Sequence, residues 1–103
     1  MIFVALVEAA DRGELILLDG GMCRYHRRRD GVVVIREILV LPERRKTGIG
    51  KELYRQVLLS AHGSVIQARC PAVYESNGFW RAIGFSLISI KDGINLWQRP
   101  AHG

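Results

Sequence analysis

Apolar and polar positions alternate along this chain in several distinct rhythms, and each rhythm predicts an element. Ile2 to Val7 is an unbroken apolar run, which predicts a strand, while Glu14 to Leu18 is ambiguous between a helical turn and a strand. After Gly20-Gly21, the segments Met22 to Arg28 and Val32 to Leu41 flank Arg29-Asp30-Gly31, where Asp-Gly is a hairpin signal. The second of these segments is apolar on both faces at most positions, so it belongs in the middle of a sheet. Ile49, Leu53 and Val57, with Tyr54, Leu58 and Ala61, recur at helical spacing until Gly63 offers a C-terminal cap. Ser64 to Arg69 predicts a strand ending at Cys70-Pro71. A short helix is predicted from Ser76 to Ile83, with Ser76 at its N-cap and Gly84 past its end. Phe85 to Ile90 and Ile94 to Gln98 close the chain as a hairpin around Lys91-Asp92-Gly93. Phe79, Ile83, Phe85 and Trp97 are placed in the core.

Composition narrows the picture to one mixed α/β domain over residues 1–103. Apolar residues make up 49% of the chain, and charges are interspersed, which excludes a disordered segment. The apolar start carries no basic leader or cleavage site and is too short to span a bilayer, so a cytoplasmic protein without a membrane partner is expected. Cys23 and Cys70 have no second Cys or His at metal-ligand spacing; they are read as reduced and packed, and no metal is assigned. Lysine and arginine outnumber acids by 15 to 10, for a net charge of +5. The excess is concentrated in Arg24, His26, Arg27, Arg28 and Arg29, and in Arg44, Arg45 and Lys46. No aromatic-rich strand interleaves with the first block as a stacking surface for single strands would require. A solvated hairpin face is therefore the primary reading, with weak binding of nucleic acid or an acidic partner kept beside it.

The second basic block carries chemistry. Ile38 to Glu52 reads as a buried strand that breaks at Pro42, passes a basic loop and enters a helix through Gly48 and Gly50. The first amides of a helix have no intrahelical partner, and the aligned peptide dipoles place partial positive charge there. Two glycines let a diphosphate approach the main chain while Arg44, Arg45, Lys46 and Lys51 surround it. The spacing fits neither a P-loop nor a dinucleotide fingerprint.

Arg45-Lys46-Thr47-Gly48-Ile49-Gly50 resembles the Arg/Gln-x-x-Gly-x-Gly/Ala acetyl-CoA signature of the GNAT superfamily of N-acetyltransferases. Asn77-Gly78-Phe79-Trp80-Arg81-Ala82-Ile83-Gly84-Phe85 is similar to the family's second motif, and the two stand in the family's order. The resemblance spans Val32 to about Phe85. It implies a GNAT-like fold: a central, mostly antiparallel sheet with a V-shaped splay between the family's fourth and fifth strands and helices packed on it. It also implies acetyl-CoA as co-substrate, held by backbone groups of Ile38, Leu39 and Val40, by the loop Arg45, Lys46, Thr47, Gly48, Ile49, Gly50 and Lys51, and by Asn77 and Trp80. Family members place two helices between their first two strands. Here about twenty residues precede the Met22 strand, room for one short helix, so the acceptor side should be open. An open side suits a macromolecular acceptor or a site completed in a homodimer.

The resemblance implies direct transfer of an acetyl group to an amine in a ternary complex. Many family members protonate the leaving thiolate with a Tyr, but this chain has Trp80 at that position. Tyr74 and Tyr25 are substitutes, with water as the alternative. Strand parity sets Glu37 opposite Ile38 and Val40, and the family's positions for a base fall on Val34 and Arg36, which accept no proton. Glu37, as base or as the partner of an Arg, and His26, on the adjacent strand, are the candidates. A water chain delivering a neutral amine competes with both. Two further readings stay open: a non-catalytic acyl-CoA-binding module, and a GNAT-like protein acting on nucleic acid.

Overall fold

The chain opens with a helix. In the computed structural model, which describes residues 2–100, Ile2–Asp11 (α1) is α-helical where the apolar run predicted a strand. An unbroken run carries no period of its own. The adjoining Glu8-Ala9-Ala10-Asp11 decides the matter, because its alanines favour a helix and its acids face water. Ala9 is buried where α1 packs against the first two strands. The ambiguous segment resolves as a strand, Leu15–Leu18 (β1).

From there the elements keep closely to the sequence pattern. Gly21–Arg27 (β2) and Val33–Val40 (β3) form the predicted hairpin. A 3-10 turn at Pro42–Arg44 leads to Ile49–Ala61 (α2), then Ile66–Pro71 (β4), Asn77–Ala82 (α3), Ser86–Lys91 (β5) and Ile94–Arg99 (β6). The six strands lie in the order β1-β2-β3-β4-β6-β5. Neighbours are antiparallel except β3 and β4, which run parallel because α2 carries the chain back across the sheet between them.

One face of the sheet makes the core. Cys23, Val33, Ile35, Ile66 and Trp97 are buried against Leu53, Val57 and Ala61 of α2, which recur one helical turn apart, and against Trp80 of α3. Gly21 lets the helix come close: a Cβ there would stand 2.7 Å from Ile49 Cγ2 and 3.0 Å from the Leu39 carbonyl. The first turn of α2 therefore rests on the sheet itself, which fixes the loop before it.

Two irregularities in β3 prepare a site. Arg24 pairs with Glu37 and Tyr25 with Ile35, so Arg36 is an extra residue without a partner on β2, a β-bulge. The bulge resets the alternation, so that Val33 and Ile35 share the core side with Ile38 while Glu37 and Leu39 face outward. The parity expected from Ile38 back to Val34 and Arg36 is thereby broken. The second irregularity is an opening between β3 and β4.

Candidate functional site: a splayed strand and an anion loop

β3 stays paired with β2 as far as Val40, but its pairing with β4 covers only Val33, Val34 and Ile35, which meet Ile66, Gln67 and Ala68. Beyond Ile35 the two strands part. A cavity of ≈ 80 Å³ lies in the gap, walled by Arg36 to Leu39 on one side, Arg69 to Pro71 on the other, and Tyr74, Ser76 and Trp80 at its end. This is the V-shaped splay the motif pair implies, and it leaves one edge of Ile38, Leu39 and Val40 without a strand partner in β4.

The splayed strand runs into the basic loop. Arg45 returns its Nε to the Val40 carbonyl at 3.4 Å, and the Thr47 hydroxyl donates to the Arg44 carbonyl, so the loop is shaped from within. Lys46 and Gly48 both take left-handed backbone, with φ of 64° and 89°. Such turns direct successive amides toward one side and form an anion-binding concavity. Helix α2 starts directly afterward, no side chain caps it, and its first internal bond is Glu52 N–H to the Gly48 carbonyl at 3.0 Å. The amides of Ile49, Gly50 and Lys51 thus have no intrahelical acceptor.

Charge around the loop is arranged to leave cations available. Arg44 is engaged by Asp19 at 3.1 Å, whereas Arg45, Lys46 and Lys51 form no ion pair among the described residues. The acid in the first turn of α2, Glu52, is turned to Arg55 and Gln56, whose hydrogen bonds hold its carboxyl down at about 2.

The two loop glycines do different things. A Cβ on Gly48 would meet nothing within 4 Å, so this glycine faces open space. A Cβ on Gly50 would lie 3.2 Å from the Phe79 ring. Gly50 therefore makes room for α3 on its Cα side, and the two motifs meet at this contact.

Asn77 also differs from expectation. Its Nδ2 donates to the carbonyls of Pro71 at 2.9 Å and Tyr74 at 2.7 Å, and its Oδ1 accepts from Asn95 Nδ2 at 2.9 Å and Trp97 Nε1 at 2.8 Å. A carboxamide with both donors and both lone pairs engaged has nothing left for a ligand. It is a bracket that holds the Pro71–Tyr74 turn, the far wall of the gap, to β6. Ser76 takes the N-cap position of α3 without capping it; its hydroxyl lies 3.1 Å from Cys70 Sγ. Cys23 and Cys70 are both buried and unpaired, and burial pushes the Cys23 thiol up to about 12.

Residues 1–87 match the family model for the acetyltransferase (GNAT) domain. The chain belongs to the GNAT superfamily. Comparison with functionally curated proteins finds no match. Among solved structures this GNAT chain is similar to PaiA N-acetyltransferase from Thermoplasma acidophilum in complex with coenzyme A, with TM-score 0.78 at 11% identity over 93% of this chain and 66% of that one. It is similar to the ribosomal-protein-S18-alanine N-acetyltransferase of Escherichia coli, with TM-score 0.69 at 14% identity over 82% of this chain and 63% of that one. It also resembles Arabidopsis thaliana Naa50 in complex with the bisubstrate analogue CoA-Ac-MVNAL, with TM-score 0.61 at 22% identity over 77% of this chain and 64% of that one. At these identities the likeness is one of fold, and the chain spans less than two thirds of the length of each.

The GNAT frame sorts the candidates for proton transfer. Glu37 and Tyr74 both line the cavity. Glu37 is held by Arg24 at 2.8 Å, both side chains being about one-quarter exposed, while Tyr74 is 59% exposed and open to the gap. His26 is not brought to the cavity: its Nδ1 pairs with Glu14 at 3.0 Å. Tyr25 is buried with its hydroxyl shared between the Gly13 carbonyl and Ser60. Arg36 and Arg69 line the gap too, although sequence reasoning gave neither a role. Only the bulge and the point where pairing stops reveal them, and neither leaves a local signature. Among the described residues no group of three or more His, Cys, Asp or Glu could hold a metal, and no helix is long and apolar enough to cross a membrane.

Proposed function

We propose that this GNAT domain binds acetyl-CoA and passes the acetyl group to an amine by direct transfer in a ternary complex. One observation carries the reading: the unpaired edge of β3 leads without interruption into a left-handed turn whose neighbouring helix start has open amides. The amides of Ile49, Gly50 and Lys51, with Lys46, Arg45 and Lys51 around them, suit the diphosphate. The free edge of Ile38, Leu39 and Val40 suits the amide-bearing pantetheine arm, taken in as an additional strand, with Trp80 behind it. Thr47 shapes the loop and Asn77 fixes the opposite wall.

In this reading the amine nitrogen attacks the thioester carbonyl, the C–S bond breaks, nitrogen gives up a proton and sulfur takes one. Backbone donors along β3 stabilise the oxyanion that forms on the way. Tyr74, in the cavity wall, is the proton donor to sulfur, and the proton from nitrogen leaves through water. Glu37 is tied to Arg24 and acts on charge balance.

Trp80 favours a second reading, a silent acyl-CoA binder, because an indole N–H does not protonate a thiolate. Two measurements decide. At about 100 times its Kd, free CoA should stabilise the protein by ~2.7 kcal/mol, seen as a rise in Tm. Gly48→Glu should abolish that rise, because a carboxylate there blocks and repels the diphosphate. Release of CoA thiol in the presence of an amine supports the enzyme; CoA binding without thiol release with any amine supports the silent binder. A wild-type protein that CoA does not stabilise overturns both.

A further inference from the structure

Two guanidinium groups stand where the sheet opens. Ile35 and Ala68 are the last residues paired between β3 and β4, so the next residue on each strand, Arg36 and Arg69, flanks the apex of the gap. Both line its cavity, both are exposed, and neither forms an ion pair among the described residues. The bulge presents Arg36, and alternation along β4 turns Arg69 away from buried Ala68 and Cys70. Arg69 also forms a wall of a second cavity of ≈ 350 Å³ on the outer face of β4, β6 and β5, shared with Lys91 and Asp92 of the last hairpin. Across the two cavities the cations are Arg36, Arg69 and Lys91 and the anions Glu37 and Asp92, with Glu37 already engaged by Arg24. The surplus is positive.

An acceptor amine is normally a cation in water, and a positive surface repels it. The same surface favours the neutral, nucleophilic form of any amine held beside it. Both effects are reconciled when the acceptor brings its own anion. Resting on the acetyl-transfer reading, the geometry points to an acceptor whose reacting amine carries a neighbouring carboxylate, held by Arg36 and Arg69. This chemistry occurs in a free amino acid and in a peptide N-terminus with an acidic first residue. Polyamines and lysine side chains are disfavoured. Arg36 and Arg69 determine specificity by pairing with that carboxylate. The amine proton passes to water, the new bond is the amide, and CoA leaves as the thiol.

The test measures CoA thiol release with acetyl-CoA and matched acceptors: glycine against glycinamide, an Asp-initiated against an Asn-initiated peptide amide, and spermidine. The carboxylate member of at least one pair should win by roughly tenfold or more in kcat/KM, chiefly through KM. Glycinamide is the less basic amine, so a win for glycine is not an effect of basicity. The first pair winning identifies a free amino acid, the second an acidic N-terminus. Arg36→Gln and Arg69→Gln should bring the ratio close to one while stabilisation by CoA is kept. The proposal is overturned if spermidine or the uncharged members are the better acceptors, or if the ratio survives both substitutions. It is also overturned if CoA stabilises the protein yet no carboxylated amine turns over or adds to that stabilisation. Absence of any CoA effect on the wild type is a separate result, the failure of the underlying reading.

Discussion

Val33, Val34 and Ile35 are buried and paired on both sides, whereas beyond the bulged Arg36 the residues Glu37 to Val40, on the same strand, keep β2 on one side and face a gap on the other. The first stretch is apolar and interchangeable with the interior of many sheets. The second, counted with the bulge, carries two charges, an extra residue and an unused row of backbone groups, and every candidate ligand contact on this strand belongs to it. A single strand thus divides its labour at Ile35: one half anchors, and the other is left unfinished so that something else can complete it. Unpaired backbone at the surface of a gap costs little while water reaches it, but becomes a template for an extended, amide-bearing guest.

Substitutions can probe that division in order of expected effect. Ile35→Ala, in the anchored half at 1% exposure, should destabilise by about 2–5 kcal/mol in urea titration, with m unchanged. Asn77→Ala should cost about 2–3 kcal/mol, since it strands the donors of Trp97 and Asn95. It should also weaken CoA binding, because the far wall of the gap is no longer tied down. A Kd unchanged from the wild type would show that the wall is held by other means.

Acid should loosen the anchored half. Glu14 reaches His26 and the amide of Arg27, the β2 residues opposite Val34 and Val33. Burial works to raise its carboxyl, but Arg12, the Arg27 amide and His26 together hold it below the ordinary carboxylate range. A lowered folded-state pKa means stability that is complete above the unfolded value and lost as pH falls through the folded one. Stability should therefore decline on acidification below the ordinary carboxylate range, and Glu14→Gln should flatten that decline at a cost of about 1 kcal/mol or less near neutrality. An equal slope in the two proteins would assign the acid sensitivity elsewhere. The smallest effect belongs to Leu39→Ala in the open half: at 56% exposure it should change stability by less than about 0.5 kcal/mol.

The sequence showed most of this architecture through rhythm. The 28–32 turn, the helix from Ile49 and the closing hairpin each have a local cause, whether Asp-Gly, apolar residues one turn apart, or a glycine at an end. The GNAT motif pair placed the loop and the gap. What stayed hidden depends on residues distant in the chain. Ile2 to Val7 has no period to distinguish helix from strand. The extra residue at Arg36 exists only relative to β2, and Gly50 yields to Phe79 through packing that no spacing records. Asn77 stands where a ligand contact was expected, yet its partners on the 71–74 turn and β6 use up its hydrogen bonds. The role of His26 likewise depended on a neighbour, Glu14, brought beside it by the pairing of β1 with β2.

Gly21 has a reach beyond its own turn. Any side chain there would press on Ile49 at the start of α2, directly after the basic loop, although Gly21 itself lies outside that loop. In the acetyl-transfer reading, coenzyme affinity becomes adjustable from behind, by a wedge under the helix instead of a change in the grip. A laboratory selection for weaker donors or faster product release would find that lever without touching a single contact residue.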